Sequence, residues 1–197
     1  MSGVILASTS RYRRELIGRL GISVTCMPSP FDEEAAKEAL SALPIAERAR
    51  ALAIGKAEAL GERYPDAVII GSDQMGELDG EALGKPHTAE NARAQLRRMA
   101  GREHRLHTAV ALHHRASGRT ETVVDTHSLV MRALTDEAIA DYVARDAPLD
   151  CAGSYRVESL GIALFERMEG EDFSGIIGLP LTKLVALLGQ FGKIVQI

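Results

Sequence analysis

The stretch Val4-Ile-Leu-Ala-Ser-Thr-Ser-Arg-Tyr-Arg-Arg-Glu-Leu16 decides how the first part of this chain folds. Its first four residues are an apolar run, which predicts a short buried strand. From Ser10 onward the apolar residues recur every three or four positions, which predicts a helix that ends near Gly21. A serine at the start of a helix caps the free N–H groups, and those groups form the positive end of the helix dipole.

The arginines in the first turn of this predicted helix indicate a function. Arg13 and Arg14 oppose the helix dipole unless an anion lies between them. Hydroxyl groups, guanidinium groups and a helix N-terminus together form a binding site for phosphate. The alternative interpretation is structural, with Ser10 as an ordinary N-cap and the arginines solvated. This stretch alone does not separate the two interpretations.

The composition limits the class of protein. The chain has 197 residues, of which 46% are hydrophobic and 25% charged, as is typical of folded soluble domains. The net charge of −4 provides no general attraction to nucleic acid. No apolar run approaches the ~20 residues of a membrane helix, and residues 1–3 predict no signal peptide. We therefore expect a cytoplasmic protein with no membrane and no nucleic-acid partner.

Three charged residues further along the chain are candidate site residues. Glu33 follows a proline-containing stretch that predicts a loop; its carboxylate suits a divalent cation, although a solvated turn is the simpler interpretation. Lys56 lies on the apolar stripe of a helix predicted from Pro44 to about Tyr64, so its amine extends either to water or into a cleft. Asp73 follows the buried strand 67–70, and loops beyond the carboxyl ends of strands hold ligands in α/β sheets.

The rest of the chain alternates between predicted strands and helices. Asp79-Gly80 predicts a two-residue hairpin turn. A strand is predicted over 157–165, with Glu158 near its start. We interpret the histidines between 104 and 114 as surface residues and not as a zinc site. The mixture predicts an α/β protein with a mixed twisted sheet and a cleft.

Taken together, these stretches resemble the Maf family of nucleoside triphosphate pyrophosphatases, whose fold is like that of the inosine triphosphatases. The resemblance runs from Val4 to about Leu188. It rests on seven short stretches in the same order as in the family. These are residues 6–14, Asp32-Glu33, Lys56, Gly71-Ser-Asp-Gln74, Gly84-Lys-Pro86, residues 152–158 and Gly178-Leu-Pro-Leu181. It implies a single Maf-like domain over residues 1–197, with a mixed twisted sheet flanked by helices and two lobes around a central cleft.

The resemblance also implies a reaction, in which a nucleoside triphosphate is hydrolysed to the monophosphate and pyrophosphate. Asp73 would accept the proton of the attacking water, and Glu33 with Asp73 would hold a divalent cation, Mg²⁺ or Mn²⁺. The triphosphate would be bound by Ser8, Ser10, Arg13, Arg14, Lys56 and Lys85. The expected partner is the nucleoside triphosphate substrate. The sequence does not decide whether the protein forms a homodimer.

Within the family, Gly71-Ser-Asp-Gln74 and Glu158 are similar to the branch that acts on 7-methyl-GTP, which suggests a role in removing modified nucleotides from the pool. Tyr12, Gln74 and Glu158 would select the base. A carboxylate attracts the cationic 7-methylguanine and accepts its two parallel N–H donors, and an aromatic ring adds a cation–π contact. This interpretation expects Glu158 to be buried.

Three alternatives remain at this stage. One is a dTTP/UTP pyrophosphatase of the same family, and another is a nucleotide-binding regulator of septum formation. The third is an RNA-binding protein that uses the arginines between 93 and 105, although an acidic chain favours a solvated face for them.

Overall fold

The computed structural model describes residues 3–193, which divide into two compact units. The first unit comprises residues 3–73, 108–125 and 172–193, and the second comprises 74–107 and 126–171. The unit boundaries fall inside or next to strands, so that three long strands contribute residues to both units. The single domain over 1–197 stays a prediction.

Strands and helices alternate along the described residues, as the sequence predicts. The strands are β1 (Val4–Ala7), β2 (Val24–Met27), β3 (Val68–Leu78), β4 (Glu81–Leu83), β5 (Glu103–His114), β6 (Arg119–Met131) and β7 (Phe165–Glu169). The α-helices are α1 (Arg11–Gly18), α2 (Glu33–Ala39), α3 (Ile45–Glu58), α4 (Ala89–Met99), α5 (Asp136–Asp146), α6 (Phe173–Ile177) and α7 (Leu181–Gln190). None of the helices within residues 3–193 has the length and apolar character that crossing a membrane requires.

The strand pairing is mixed. In the first unit β1 pairs in parallel with β2 on one side and β3 on the other, and β5 and β6 follow β3. In the second unit β4 pairs antiparallel with β3, and β7 pairs antiparallel with β6. The predicted α/β class with a mixed sheet flanked by helices is therefore confirmed.

The core of the first unit follows from the alternation of side chains along its strands. Val4 and Leu6 of β1 pack with Ile70 of β3 on one face of the sheet. Leu16 of α1 and Leu184 of α7 cover this face, and burying such side chains contributes about 1.5–3 kcal/mol each. The other face of the sheet receives α3.

Gly71 allows α3 to approach β3 closely. A Cβ atom at this position would lie 2.0 Å from the carbonyl oxygen of Ala53 and 2.9 Å from the nitrogen of Ala57. The backbone of α3 therefore rests directly on the strand. Because side chains two residues apart share a face, Asp73 also points toward α3, where Lys56 precedes Ala57.

The second unit begins with the predicted hairpin. Asp79 and Gly80 have φ angles of 53° and 81°, as a two-residue turn between β3 and β4 requires. Thr88 and Thr135 cap α4 and α5, and each hydroxyl accepts a hydrogen bond of 3.2 Å from a backbone N–H three residues later. The prediction of the Asp79-Gly80 turn is confirmed.

Three predictions of local structure are wrong. Glu33 starts α2 and does not lie in a loop, because Asp32 caps that helix through the N–H of Ala35. Asp73 lies inside β3 and not beyond its end, because β4 pairs with the strand's second half. Glu158 lies in a turn, since the strand expected from 157 begins only at Phe165.

The histidine prediction is also wrong for three residues. His104, His107 and His113 are buried. The ring of His107 lies between Glu77 and Thr126, at 2.8 Å from the carboxylate and 2.9 Å from the hydroxyl. These histidines lie on a long strand that is covered on both faces, which a local polar pattern does not reveal.

We predict that Gly71→Ala lowers the free energy of unfolding by about 1–3 kcal/mol or more, because the added methyl group overlaps the backbone of α3. Gly189→Ala is the matched control, since a Cβ there meets nothing within 4 Å and the residue lies in α7. Urea denaturation measures both. Equal stability of the two variants would contradict the close packing of α3 on β3.

Candidate active site

The first unit buries one lysine between two carboxylates. The Nζ atom of Lys56 lies 2.6 Å from Oδ1 of Asp73 and 2.7 Å from Oε2 of Glu33. The side chains of Lys56 and Asp73 are only 11% and 8% exposed. Buried charges are stable only when they are paired, so the ammonium and the carboxylates hold one another in place. The structure thus brings together three of the predicted site residues.

Local packing sets the position of this cluster. The Ser29 hydroxyl donates to the carbonyl oxygen of Lys56 at 2.9 Å and accepts from the N–H of Phe31 at 3.3 Å. The ring of Phe31 fills the space beside Gly55, where a Cβ would lie 2.4 Å from it. These contacts fix the chain before α2 against α3, which brings Glu33 to Lys56.

Glu33 is kept ionised by two lysines. Partial burial acts to raise its pKa, but the hydrogen bonds and charges of Lys56 and Lys37 outweigh burial and lower the pKa to about 2. The Nζ atom of Lys37 lies 3.0 Å from the second carboxylate oxygen. Sequence reasoning missed Lys37, although its spacing of four residues from Glu33 on one helix is a recognisable signal.

The N-terminus of α1 has the geometry predicted for a phosphate site. The Ser10 hydroxyl caps the helix by accepting from the N–H of Arg13 at 3.5 Å, and the buried Ser8 hydroxyl accepts from the N–H of Ser10 at 3.2 Å. The first turn contains no acidic residue. Arg14 is exposed on the same turn.

Arg13 connects this helix terminus to the carboxylate cluster. Its Nε donates to the carbonyl oxygen of Gly178 at 3.0 Å. Burial lowers the pKa of Arg13, and the charges of Asp73 and Glu33 oppose that shift. Arg13 is therefore a cation in the field of both carboxylates. Tyr12, beside it, is half-buried, and the guanidinium of Arg11 lies 5.0 Å from its ring centre.

The other predicted site residues belong to the second unit. Gln74 is half-buried and follows Asp73 along β3, and Lys85 is exposed. Glu158 is exposed, so the expectation that it is buried is wrong. It lies in a turn and not on a strand of the sheet, and its side chain is accessible to solvent.

Hydrogen bonds nevertheless hold the turn that carries Glu158, both before and after that residue in the chain. The buried carboxylate of Asp146 accepts from the guanidinium of Arg156 at 3.1 Å and from the hydroxyl of Ser159 at 2.6 Å. Asp146 also accepts from the Tyr142 hydroxyl at 2.8 Å. An exposed side chain on a fixed turn is suited to binding a ligand.

The arginines of the alternative RNA-binding surface are largely neutralised. Arg97, Arg98 and Arg102 pair with Asp136, Glu81 and Asp79 respectively. Each pair lies within the second unit and is exposed to solvent. These ion pairs favour the solvated face over a surface for RNA.

The residues of the first unit that could hold a divalent metal are Glu33 and Asp73. Among residues 3–193, no three His, Cys, Asp or Glu side chains form a group that could hold a metal ion. Glu33 and Asp73 do converge on one cation, the Lys56 ammonium. Mg²⁺ commonly takes one or two carboxylates and completes its shell with substrate phosphates and water. The two carboxylates therefore fit a metal ion that binds together with a phosphate-bearing substrate.

One family profile and several known proteins match nearly the whole chain. The sequence profile described as Maf-like protein matches residues 3–191. A 7-methyl-GTP pyrophosphatase from Syntrophotalea carbinolica is 44% identical over 193 residues, which are 98% of this chain and 96% of that protein. A protein of the same name from Xanthomonas axonopodis is 45% identical over 193 residues, 98% of each chain. A third, from Pseudomonas aeruginosa, is 44% identical over 192 residues, also 98% of each chain.

A solved structure shows the same fold. A HAM1 protein from Coxiella burnetii superposes with a TM-score of 0.54 over 96% of this chain and 100% of that one. The sequence identity is 15%, so this likeness concerns the fold alone.

The low pKa of Glu33 predicts a pH-dependent contribution to stability. A carboxyl group whose pKa falls from 4.5 to about 2 on folding stabilises the protein above pH 4.5. That contribution is lost as the pH falls through 2. We therefore expect the free energy of unfolding of the wild type to exceed that of Glu33→Gln at pH 6. We expect the difference to shrink between pH 5 and pH 2.5, measured by urea denaturation.

The matched control for this series is Glu38→Gln, which removes an exposed carboxylate from the same helix. We expect its effect on the free energy of unfolding to stay within about 0.5 kcal/mol. A difference between wild type and Glu33→Gln that remains constant from pH 6 to pH 2.5 would show that the two lysines do not hold Glu33 ionised.

Proposed function

Because this chain belongs to the Maf family, as the match over residues 3–191 shows, we propose that it hydrolyses 7-methyl-GTP to 7-methyl-GMP and diphosphate. The observation that carries the chemistry is the buried cluster of Lys56, Asp73 and Glu33 next to a capped helix N-terminus. The choice of substrate is supported by identities of 44–45% to three relatives named 7-methyl-GTP pyrophosphatase. We further propose a role in removing modified nucleotides from the pool.

In this reaction Asp73 takes a proton from the attacking water. The water oxygen bonds to the α-phosphorus, the bond between that phosphorus and the bridging oxygen breaks, and diphosphate leaves with the bridging oxygen. Lys56 holds Oδ1 of Asp73 at 2.6 Å, so the other carboxylate oxygen is the one assigned to the proton. Such general-base help accelerates a reaction by about 10²–10⁴-fold.

Cationic and hydroxyl groups bind the triphosphate in this proposal. Arg13 and the free N–H groups at the start of α1 are placed for this by the Ser10 cap. The other groups assigned to the phosphates are Ser8, Arg14 and Lys85. Lys56 has a different main role, because its ammonium is already bonded to two carboxylates.

Glu33 and Asp73 would hold a divalent metal, Mg²⁺ or Mn²⁺, when the nucleotide binds. The metal would supply positive charge that neutralises the phosphate oxygens. The pKa of about 2 keeps Glu33 ionised, and therefore able to act as an oxygen ligand, throughout the physiological pH range.

Base selection is assigned to Glu158, with Tyr12 and Gln74. N7-methylation makes guanine cationic, and the N1–H and 2-amino groups are parallel donors that one carboxylate accepts together. Glu158 is exposed, so the attraction rests on charge and hydrogen bonding and not on a buried carboxylate left unpaired by other bases. The anchored turn of Arg156 and Ser159 supports this assignment, because it fixes the backbone that carries Glu158.

A nucleotide panel tests the proposal. Diphosphate release is measured with 7-methyl-GTP, GTP, CTP, dTTP and UTP, with and without Mg²⁺ or Mn²⁺. We expect the highest kcat/KM for 7-methyl-GTP in the presence of metal. Glu158→Gln should lower that value by about 10–100-fold, the effect of losing a charged hydrogen-bond partner, and should change the values for dTTP and UTP much less.

The control is Glu166→Gln, which removes another exposed carboxylate from the second unit and should leave all five substrates unaffected. An equal loss for every nucleotide in Glu158→Gln, or a wild type that prefers dTTP, would favour the dTTP/UTP pyrophosphatase. Tight nucleotide binding without hydrolysis of any substrate would favour the regulator of septum formation.

A further inference from the structure

One buried carboxylate closes residues 172–182 into a loop. Asp172 accepts hydrogen bonds from the N–H of Ser174 at 3.0 Å and from the N–H and hydroxyl of Thr182 at 2.7 and 2.8 Å. The Ser174 hydroxyl donates to the same carboxylate. Partial burial acts to raise the pKa of Asp172, but these donors outweigh burial and lower it, so the group is ionised. The start of α6 and the first turn of α7 are thereby tied together.

Gly178 lies inside this loop and faces the candidate active site. Its carbonyl oxygen accepts two hydrogen bonds, from Nε of Arg13 at 3.0 Å and from the hydroxyl of Ser72 at 3.2 Å. Its φ angle of 131° is one that favours glycine, so the orientation of this peptide is set by the backbone of the loop. The same loop is bonded to β5, because the Thr108 hydroxyl donates to the carbonyl oxygen of Gly175 at 2.8 Å.

The contact with Gly178 leaves the outer end of Arg13 available. Nε is committed to the carbonyl, and no residue between 3 and 193 forms a hydrogen bond or ion pair with the two terminal nitrogens of this guanidinium. A guanidinium anchored at Nε loses little further freedom when its terminal nitrogens bind a phosphate. The orientation of Arg13 therefore depends on where the Gly178 carbonyl lies.

We propose that Asp172 is a positioning residue, which orients Arg13 for the phosphates of the substrate through the loop that carries Gly178. This inference rests on the proposed function. It assigns a role to a residue that touches neither Arg13 nor the carboxylate cluster. Ser72, directly before Asp73, supports the same carbonyl from β3.

A simple helix cap does not account for the contacts of Asp172. Capping α6 requires only the bond from the N–H of Ser174. Two of the remaining bonds reach Thr182, which is 10 residues away, across the segment that contains Gly178. The helix that is capped has only five residues. The carboxylate thus determines the geometry of the segment between its partners more than the stability of α6.

A double-mutant cycle between Asp172 and Arg13 tests the proposal. Asp172→Asn keeps the shape of the side chain but replaces one acceptor oxygen with a donor, so it cannot accept all four bonds. The dissociation constant of inorganic tripolyphosphate is measured by calorimetry, together with kcat/KM for 7-methyl-GTP. We expect Asp172→Asn to weaken tripolyphosphate binding about tenfold, the range of one charged hydrogen bond. In the Arg13→Ala background the same substitution should weaken it less than twofold.

Thr135→Ala is the matched control, because it removes an N-cap from α5 in the second unit. It should lower stability and leave tripolyphosphate binding unchanged in both backgrounds. If Asp172→Asn does not fold, Thr182→Val removes a single donor from Asp172 and should produce a smaller loss that also vanishes without Arg13.

If Asp172→Asn weakens tripolyphosphate binding by the same factor with and without Arg13, the positioning role is overturned. This holds whatever the variants do to stability. A wild type that binds tripolyphosphate but hydrolyses no nucleotide would overturn the proposed function and leave the cycle to decide the positioning role. A wild type that does not bind tripolyphosphate would overturn both.

Discussion

The ion pairs of Lys56 with Asp73 and Glu33 are the interaction on which the candidate active site depends. A buried ammonium without its carboxylates, or the carboxylates without it, would be strongly destabilising, at about 3–5 kcal/mol for a broken buried pair. The three residues come from β3, α3 and α2, so the cluster forms only when these elements are in place. In return, the cluster fixes two carboxylates beside an arginine and a helix N-terminus.

Two glycines make this arrangement possible within the first unit. Gly71 lets the backbone of α3 rest on β3, which brings Lys56 to the face of the strand that carries Asp73. Gly178 adopts a φ angle of 131° and presents its carbonyl to Arg13 and to Ser72. At Gly178 the backbone carbonyl lies against a charged side chain, and at Gly71 a larger residue would require the helix to move.

Much of the fold could be predicted from the sequence because it depends on local signals. Apolar periodicity, N-cap residues and the Asp79-Gly80 turn indicate most elements within a few residues of their observed ends. Local sequence signals did not predict the structure where a contact with a residue distant in sequence determines it. β3 continues past Asp73 because β4 pairs with it, and the contact of Ser72 with Gly178 joins residues 106 positions apart. The exposure of Glu158 was likewise set by tertiary packing, and the residue types at the site became informative mainly through their resemblance to a family.

The most direct test of the account is the kcat of Asp73→Asn for 7-methyl-GTP, because this substitution preserves the shape of the side chain and removes its capacity to accept a proton. We expect a fall in kcat of about 10²–10⁴-fold in a protein that remains folded by circular dichroism and still binds the nucleotide. Asp66→Asn, an exposed residue of the same unit, should retain wild-type kcat. A folded Asp73→Asn protein with near wild-type kcat would contradict the assignment of the cluster as the catalytic centre.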